Sequence, residues 1–303
     1  MSTLKDAYPS RKGNEEKIIK RPDPVVFGSE EGGEYSLNKE QLEGFDKNGF
    51  IILEDLFSED EVNRLRSEAF RLRNDDDNLK HREFVTEPNS DVVRSIFDLP
   101  KFSSIFDELS RDRRFLDVAK QIVGDDVYLH QSRINIKPAL DGKSFPWHSD
   151  FETWHVEDGL PAPRVVTGWI MLTENTPYNG PLFVIPGSHK EYVSCPGTTP
   201  KDNYKTSLRN QMLGTPSLKA LKEFATKAEE EVIGVYGKAG TVVFHECNIM
   251  HGSPDNISPW PRTNCFFVYN SVNNKPINPP FGAKELRPEF LCNKNNSPLT
   301  TSN

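Results

Sequence analysis

The sequence predicts a mainly β protein, a sandwich or jelly roll buttressed by helices, and three observations carry that expectation. The first third reads as helical around a single strand, short apolar runs of β-forming residues recur from Val127 onward, and turn-like separators stand between those runs. The separators are Asp141-Gly142, Tyr178-Asn179-Gly180, Pro186-Gly187-Ser188 and Lys238-Ala239-Gly240. Many short strands punctuated in this way, after a helical run, form the pattern of sheets packed on one another with helices outside.

Residues 1–35 are rich in Lys, Glu, Gly, Ser and Pro, and are expected to form a flexible leader. A short helix is predicted over 38–45 and an apolar strand over 49–53. Ser58-Glu59-Asp60-Glu61 has the pattern of a capping box, the serine accepting from the first turn while Glu61 reaches back. Val62, Leu65, Ala69 and Leu72 then mark one face of a helix ending near Asn74, with acidic residues at its start and arginines at its end, as the helix dipole favours. Residues 75–95 read as polar and irregular, followed by short helices over 102–109 and 112–123, the second stopped by Gly124.

Strands are predicted over 127–138, through the segment 147–155, and over 165–172, 181–185, 231–236, 241–244 and 264–272. Residues 190–230 interrupt them with a charged insertion, helical from Leu218 to Glu230, of the kind that often forms an active-site lid. From about residue 283 the chain turns rich in Asn, Pro and Lys. The expected organisation is a leader over 1–35, a single domain over 36–290 and a flexible tail over 291–303.

Bulk properties narrow the function classes. The 303 residues suffice for a well-buried core, and 35% hydrophobic with 27% charged residues suits a soluble globular protein. A net charge of −8 without a basic cluster argues against nucleic acid. No apolar window is long enough to span a bilayer, and Met1-Ser2-Thr3-Leu4-Lys5-Asp6 lacks the apolar core of a signal peptide, so a cytoplasmic location is expected. Cys195, Cys247, Cys265 and Cys292 are scattered, which fits a reducing compartment rather than a zinc ribbon or a disulfide scaffold. Cys247 reads as a small buried apolar residue.

The chemistry concentrates in Trp147-His148-Ser149-Asp150-Phe151-Glu152-Thr153-Trp154-His155. On a strand, His148 and Asp150 would share a face and could grip one metal ion. His251 lies about a hundred residues further on, followed by Gly252-Ser253 and then Arg262. Two histidines and one carboxylate with open positions form the facial triad of non-haem Fe(II) oxygenases. His245 is the competing choice for the second histidine; it is read as a structural or supporting group. His155, an odd number of residues from His148, would face away on a continuous strand. His189 reads as a turn histidine, while His81 and His130 have no partners that suggest chemistry.

Iron held by three such ligands leaves room for a 2-oxo acid to chelate, and Arg262 offers a bidentate fork to that acid's far carboxylate. Gln131, Arg133, Asn135 and Lys137 share one face of a strand whose other face is Ile134 and Ile136. Either solvent or a cavity satisfies such a polar face, and the neighbouring metal segment favours the cavity. Among Phe145, Trp147, Phe151 and Trp154, at least two are expected to pack the core, whereas Trp154 could wall a pocket for a small cationic or zwitterionic ligand.

His148-Ser149-Asp150, Asn179-Gly180-Pro181-Leu182, Pro186-Gly187-Ser188-His189 and His251-Gly252-Ser253 followed by Arg262 resemble the phytanoyl-CoA dioxygenase-like family of Fe(II)/2-oxoglutarate oxygenases. Within that family the block from Phe145 to Gly159 is similar to the signature of ectoine hydroxylases. The similarity extends from about residue 30 to 290, departing at Leu160-Pro161-Ala162-Pro163-Arg164, where a methionine and a second arginine are expected.

The resemblance implies a double-stranded β-helix (jelly-roll, cupin-like) core. It also implies 5-hydroxylation of ectoine, a zwitterionic cyclic amidine, with O2 consumed and succinate and CO2 released. It places His148, Asp150 and His251 on Fe(2+), and Lys137 and Arg262 on 2-oxoglutarate, with Arg133 and Asn135 beside them. Gln131 and Trp154 fall to ectoine, with Thr153 and Arg287 as further pocket residues. The implied partner is the small-molecule substrate, with no nucleic acid and no membrane; a homodimer is left open. The competing readings are an oxygenase of the same family acting on another small amino-acid-like substrate, and a non-catalytic cupin-like metal-binding protein. A halogenase is disfavoured because Asp150 keeps the carboxylate in place.

Overall fold

The computed structural model describes residues 6–88, 90–228 and 232–302. In chain order its strands are β1 (Lys17–Lys20), β2 (Phe50–Leu53), β3 (Phe84–Thr86), β4 (Val93–Phe97), β5 (Val127–Lys137), β6 (Phe145–His148) and β7 (Val165–Met171). They continue with β8 (Leu182–Val184), β9 (Glu191–Ser194), β10 (Ile233–Val235), β11 (Val242–Glu246), β12 (His251–Ser253) and β13 (Arg262–Ser271). The helices are α1 (Lys39–Asn48), α2 (Glu59–Arg73), α3 (Leu99–Phe102), α4 (Ser104–Ser110), α5 (Arg113–Val123), α6 (Asp150–Asp158), α7 (Tyr204–Ser207) and α8 (Leu218–Lys227).

Two antiparallel sheets form the core. The larger has the order β2-β11-β7-β13-β5-β4-β3 and the smaller β10-β8-β12-β6, a jelly-roll arrangement, while β1 pairs with β9 apart from both. Strand alternation divides the side chains between two packing layers. Ile134 and Ile136 of β5, Ile170 of β7, and Cys265 and Phe267 of β13 meet Leu65, Leu72, Phe106, Leu116 and Ile122 from the helices. Trp169 and Met171 of β7, Val243 of β11 and Phe266 of β13 face the other way, onto Val184 and Val235 of the smaller sheet. Gly168 lets α5 approach, since a Cβ there would lie 2.7 Å from Phe244 and 2.9 Å from Phe115.

The helix starts follow their capping residues. Asn38 and Ser58 each close a capping box with Gln41 and Glu61, and Gly124 ends α5 in the left-handed conformation. No helix among the described residues is long and apolar enough to cross a membrane.

The structure departs from the sequence expectations in four places. The segment 147–155 is not one strand: β6 stops at His148, Ser149 caps a helix by accepting from the Glu152 amide, and α6 begins at Asp150. Residues 75–95 contain β3 and the start of β4.

Residues 6–35, read as a flexible leader, are docked: β1 extends β9, and Tyr8, Arg11 and Arg21 are buried. Charged composition misled there, because the charges are neutralised inside the protein rather than solvated. Residues 291–302, read as a flexible tail, are also packed, with Leu291 and Cys292 fully buried and the Leu299 amide donating to the Val127 carbonyl. The first five residues of the leader, residue 303 of the tail, and the junction expected between the 218–230 helix and the 231–236 strand lie outside the described residues.

Candidate active site

The antiparallel pairing of β6 with β12 sets His148 directly opposite His251, with ring centroids 4.2 Å apart. The helix start at Ser149 then turns Asp150 back toward both rings. His148 Nε2 lies 3.5 Å from Asp150 Oδ1, and His251 Nε2 lies 3.9 Å from Oδ2. One ligand atom from each of the three residues falls within 4.8 Å of the other two. Both histidines are oriented by backbone: His148 Nδ1 sits 2.8 Å from the Pro146 carbonyl, and His251 Nδ1 3.0 Å from that of Ile249. A carbonyl only accepts, so each Nδ1 carries the proton and each Nε2 presents a lone pair inward.

The electrostatics suit a cation. Burial alone would raise the Asp150 pKa, but His148, His245, His251 and Arg133 hold it well below the usual carboxylate range. Burial, reinforced by His148, pushes His251 well below its ordinary value, so the imidazole is neutral. Two imidazoles that present Nε2 lone pairs inward and one ionised carboxylate, grouped this closely, form a donor set that fits a divalent metal.

All eleven residues singled out in the sequence line one cavity around this triad: His148, Asp150, His251, Lys137, Arg262, Asn135, Arg133, Gln131, Trp154, Thr153 and Arg287. At one end Lys137 and Arg262 are direct partners across β5 and β13. Arg262 donates through Nε and Nη2 to the Gly180 carbonyl, and Lys137 Nζ donates to the carbonyls of Lys143 and Pro254. Burial, then Arg94, pushes the Arg262 pKa down to about 9. Burial, then Arg262 and Arg94, pushes Lys137 down to about 6. Three basic groups held this close, with Glu87 paired to Arg94, favour a bound anion. Ser95 Oγ donates to Asn135 Oδ1, which leaves the Asn135 amide nitrogen for the cavity.

The opposite wall is built from β5, α6 and the C-terminal segment. Arg287 donates to both carboxylate oxygens of Asp158 at 2.7 and 2.6 Å, and His130 Nε2 lies 3.0 Å from Asp158 Oδ2. Trp154 packs edge-on against the His130 ring at 5.9 Å. Arg133 donates to Gln131 Oε1, lies over the Phe266 ring, and approaches Asp150 Oδ2 to 3.7 Å. Gln131 in turn donates to the Leu291 carbonyl. Arg11 Nη2 donates to Thr153 Oγ1 at 3.3 Å, which ties the leader to the cavity wall.

The other candidates separate clearly. His155 sits on α6 rather than a strand, held between the Leu160 carbonyl and Asp6 and stacked on Phe281. His189 faces the Asp46 carbonyl, and Cys247 is buried. Phe151 packs in the core beside Tyr8 and Tyr192, and Trp147 packs against a separate cluster that includes Ile185 and Met250, while Phe145 and Trp154 line the cavity. His130, read as lacking partners, forms a buried group with Asp158 and Cys292 whose spacing would admit a metal, but the Arg287 guanidinium already occupies Asp158. The sequence reading missed Arg94, Ser95, Phe266, and Ser207, Leu208 and Gln211 of the 190–230 insertion as lining residues. The polar pair Arg94-Ser95 inside the otherwise apolar run Val93–Phe97 was the available signal for the first two.

Comparisons with known proteins agree with this geometry. The model of the phytanoyl-CoA dioxygenase (PhyH) family matches residues 45–264. The ectoine dioxygenase of Bordetella bronchiseptica is 46% identical over 294 residues, covering 97% of this chain and 94% of its own. That of Streptomyces coelicolor is 44% identical over 299 residues, covering 98% of both. The crystal structure of EctD from S. alaskensis with 2-oxoglutarate and 5-hydroxyectoine superposes with a TM-score of 0.88 at 42% identity over 98% of both chains. The same enzyme with bound Fe superposes with a TM-score of 0.86. The chain belongs to the phytanoyl-CoA dioxygenase (PhyH) family.

Proposed function

We propose that this protein converts ectoine to 5-hydroxyectoine, consuming O2 and 2-oxoglutarate and releasing succinate and CO2 with Fe(II) as its metal. The observation that carries the reading is the placement of the His148–Asp150–His251 group and the Lys137–Arg262 cation pair in one cavity. Relatives named ectoine dioxygenase, matched over nearly their whole length, support the choice of substrate. The S. alaskensis structure with 2-oxoglutarate and 5-hydroxyectoine supports it further.

His148, Asp150 and His251 would hold the iron. Bound there, it supplies O2 activation coupled to oxidative decarboxylation of 2-oxoglutarate, which delivers one oxygen atom to a substrate C–H bond and the other to succinate. The protein's own residues bind and orient. Arg262 presents a fork to the distal carboxylate of 2-oxoglutarate, and Lys137 adds a second charge, with Asn135 beside them. On the opposite wall, Arg287, held rigid by Asp158, faces the carboxylate of ectoine. Trp154 offers its ring to the amidine, with Gln131, Thr153 and Arg133 fixing the orientation. Ser207, Leu208 and Gln211 belong to the 190–230 insertion, which in this reading closes over the cavity and excludes water. A cytoplasmic location accords with four buried, free cysteines.

The test is turnover by anaerobically iron-loaded protein given O2, 2-oxoglutarate and ectoine, with succinate and 5-hydroxyectoine followed by NMR. Ectoine-dependent succinate formation with matching hydroxyectoine is expected. Substrate-independent succinate, or turnover only with other zwitterionic solutes, would reassign the substrate, and no turnover at all would favour a metal-binding protein without catalysis.

A further inference from the structure

His245 lies on β11, 1% exposed, at the edge of the cavity. Its Nδ1 is 3.1 Å from the indole nitrogen of Trp169 on the neighbouring β7. An indole N–H can only donate, so Nδ1 must accept, and the proton of the neutral ring resides on Nε2. This is the opposite tautomer from that of His148 and His251, whose Nδ1 atoms face carbonyls and whose Nε2 atoms are free to ligate. Trp169 therefore makes His245 a donor, unsuited to bind a metal through Nε2 although it stands beside the site.

That donor has a target. His245 Nε2 lies 3.8 Å from Asp150 Oδ2, and both atoms are buried without a hydrogen-bond partner among the described residues. Buried donors and acceptors left unpaired are costly, and here one of each faces the other within a side-chain adjustment of bonding distance. Arg133 Nη2, from β5 of the same sheet, approaches the same oxygen to 3.7 Å.

We infer that His245 is a positioning residue for the metal carboxylate, donating Nε2–H to the Asp150 oxygen that does not bind the metal. A carboxylate with both oxygens free can swing to chelate the metal and fill a position that 2-oxoglutarate or O2 must use. A donor fixed on the second oxygen holds it to one-atom coordination and keeps the remaining positions open. This inference rests on the iron site proposed above.

The experiment measures anaerobic Fe(II) and Co(II) affinity by equilibrium dialysis for the wild-type protein and for His245→Phe, His245→Leu and His245→Gln. Thermal melts of the metal-free proteins report folding. Glutamine can accept from Trp169 and donate to Asp150, so it should restore affinity to within a few-fold of wild type. Phenylalanine and leucine should weaken the metal about 10–100-fold. They should also raise the ratio of succinate to hydroxyectoine as the carboxylate loses its hold. Equal affinity in all three variants overturns the inference, and His245→Leu decides it if His245→Phe does not fold. Loss of metal on His245→Gln together with retention on His251→Ala would instead overturn the ligand assignment on which it rests.

Discussion

Replacing Arg262 with alanine tests the co-substrate end of the cavity most directly. The guanidinium is 5% exposed and spends Nε and Nη2 on the Gly180 carbonyl, which fixes its plane while its remaining N–H groups face the cavity. With a pKa of about 9, it is still protonated at pH 7.5 by roughly thirty to one, so it binds an anion as a cation. Truncating one partner of a buried, hydrogen-bonded charge pair costs about 2–5 kcal/mol. Here Lys137 and Arg94 remain, and removing Arg262 relieves the repulsion that suppresses the Lys137 charge. The lower part of that range is therefore expected, about 2–3 kcal/mol, which is roughly 30–150-fold. The loss should fall on the KM for 2-oxoglutarate, with the KM for ectoine changed only a few-fold. Arg262→Lys should recover part of it, since it keeps the charge but loses the fork. Steady-state succinate release, with each substrate varied in turn, separates the two constants. An unchanged KM for 2-oxoglutarate in a folded, iron-loaded Arg262→Ala protein would refute the assignment.

Three further expectations follow from the same structure. In the empty site Lys137 titrates at about 6, against 10.5 for an ordinary lysine, so between these values the unfolded chain holds a proton that the folded one lacks. The stability of the empty protein should therefore rise with pH through that window on this account, and binding of 2-oxoglutarate near pH 7.5 should take up close to one proton. Calorimetry in two buffers of different ionisation enthalpy measures that uptake, and Lys137→Met should abolish it. Asp150→Ala should lose both iron retention and hydroxylation, measured by metal analysis after dialysis and by product formation, whereas His245→Ala should still hold iron at saturating concentration. Arg11→Ala strands the buried Glu152 and Glu157 carboxylates, at a cost of about 3–5 kcal/mol. At about 2.1 cal/mol/K per residue over 303 residues, this lowers the melting temperature by roughly 5–8 °C in a thermal scan.

What could be read from the chain depended on whether the signal was local. The polar face of Gln131, Arg133, Asn135 and Lys137 was legible because Ile134 and Ile136 alternate with it, and the capping box at Ser58 because it spans four residues. Helix α6 was not, because it is buried along nearly its whole length and so shows no polar side to set a helical period. Its capping pattern, Ser149 with Glu152 three residues on, was present but outweighed by the aromatic residues around it. The structure brings His148 and Asp150 together despite the wrong secondary structure, since a strand end and a helix start separated by one residue also converge. The docked leader was beyond sequence reasoning. Arg11 and Arg21 look like solvated charges until their partners are known, and those partners stand 141 and 225 residues away.

Those long separations bear on how the protein is made. Arg21 leaves the ribosome long before Glu246 exists to receive it, so the first strand cannot settle until almost the entire jelly roll is in place. Glu152 stands two residues from Asp150, and Glu246 stands beside His245, so the N-terminal segment supplies the countercharges behind the metal pocket. Trimming the first two dozen residues would remove both arginines and leave three buried anions, Glu152, Glu157 and Glu246, without their cations behind the pocket.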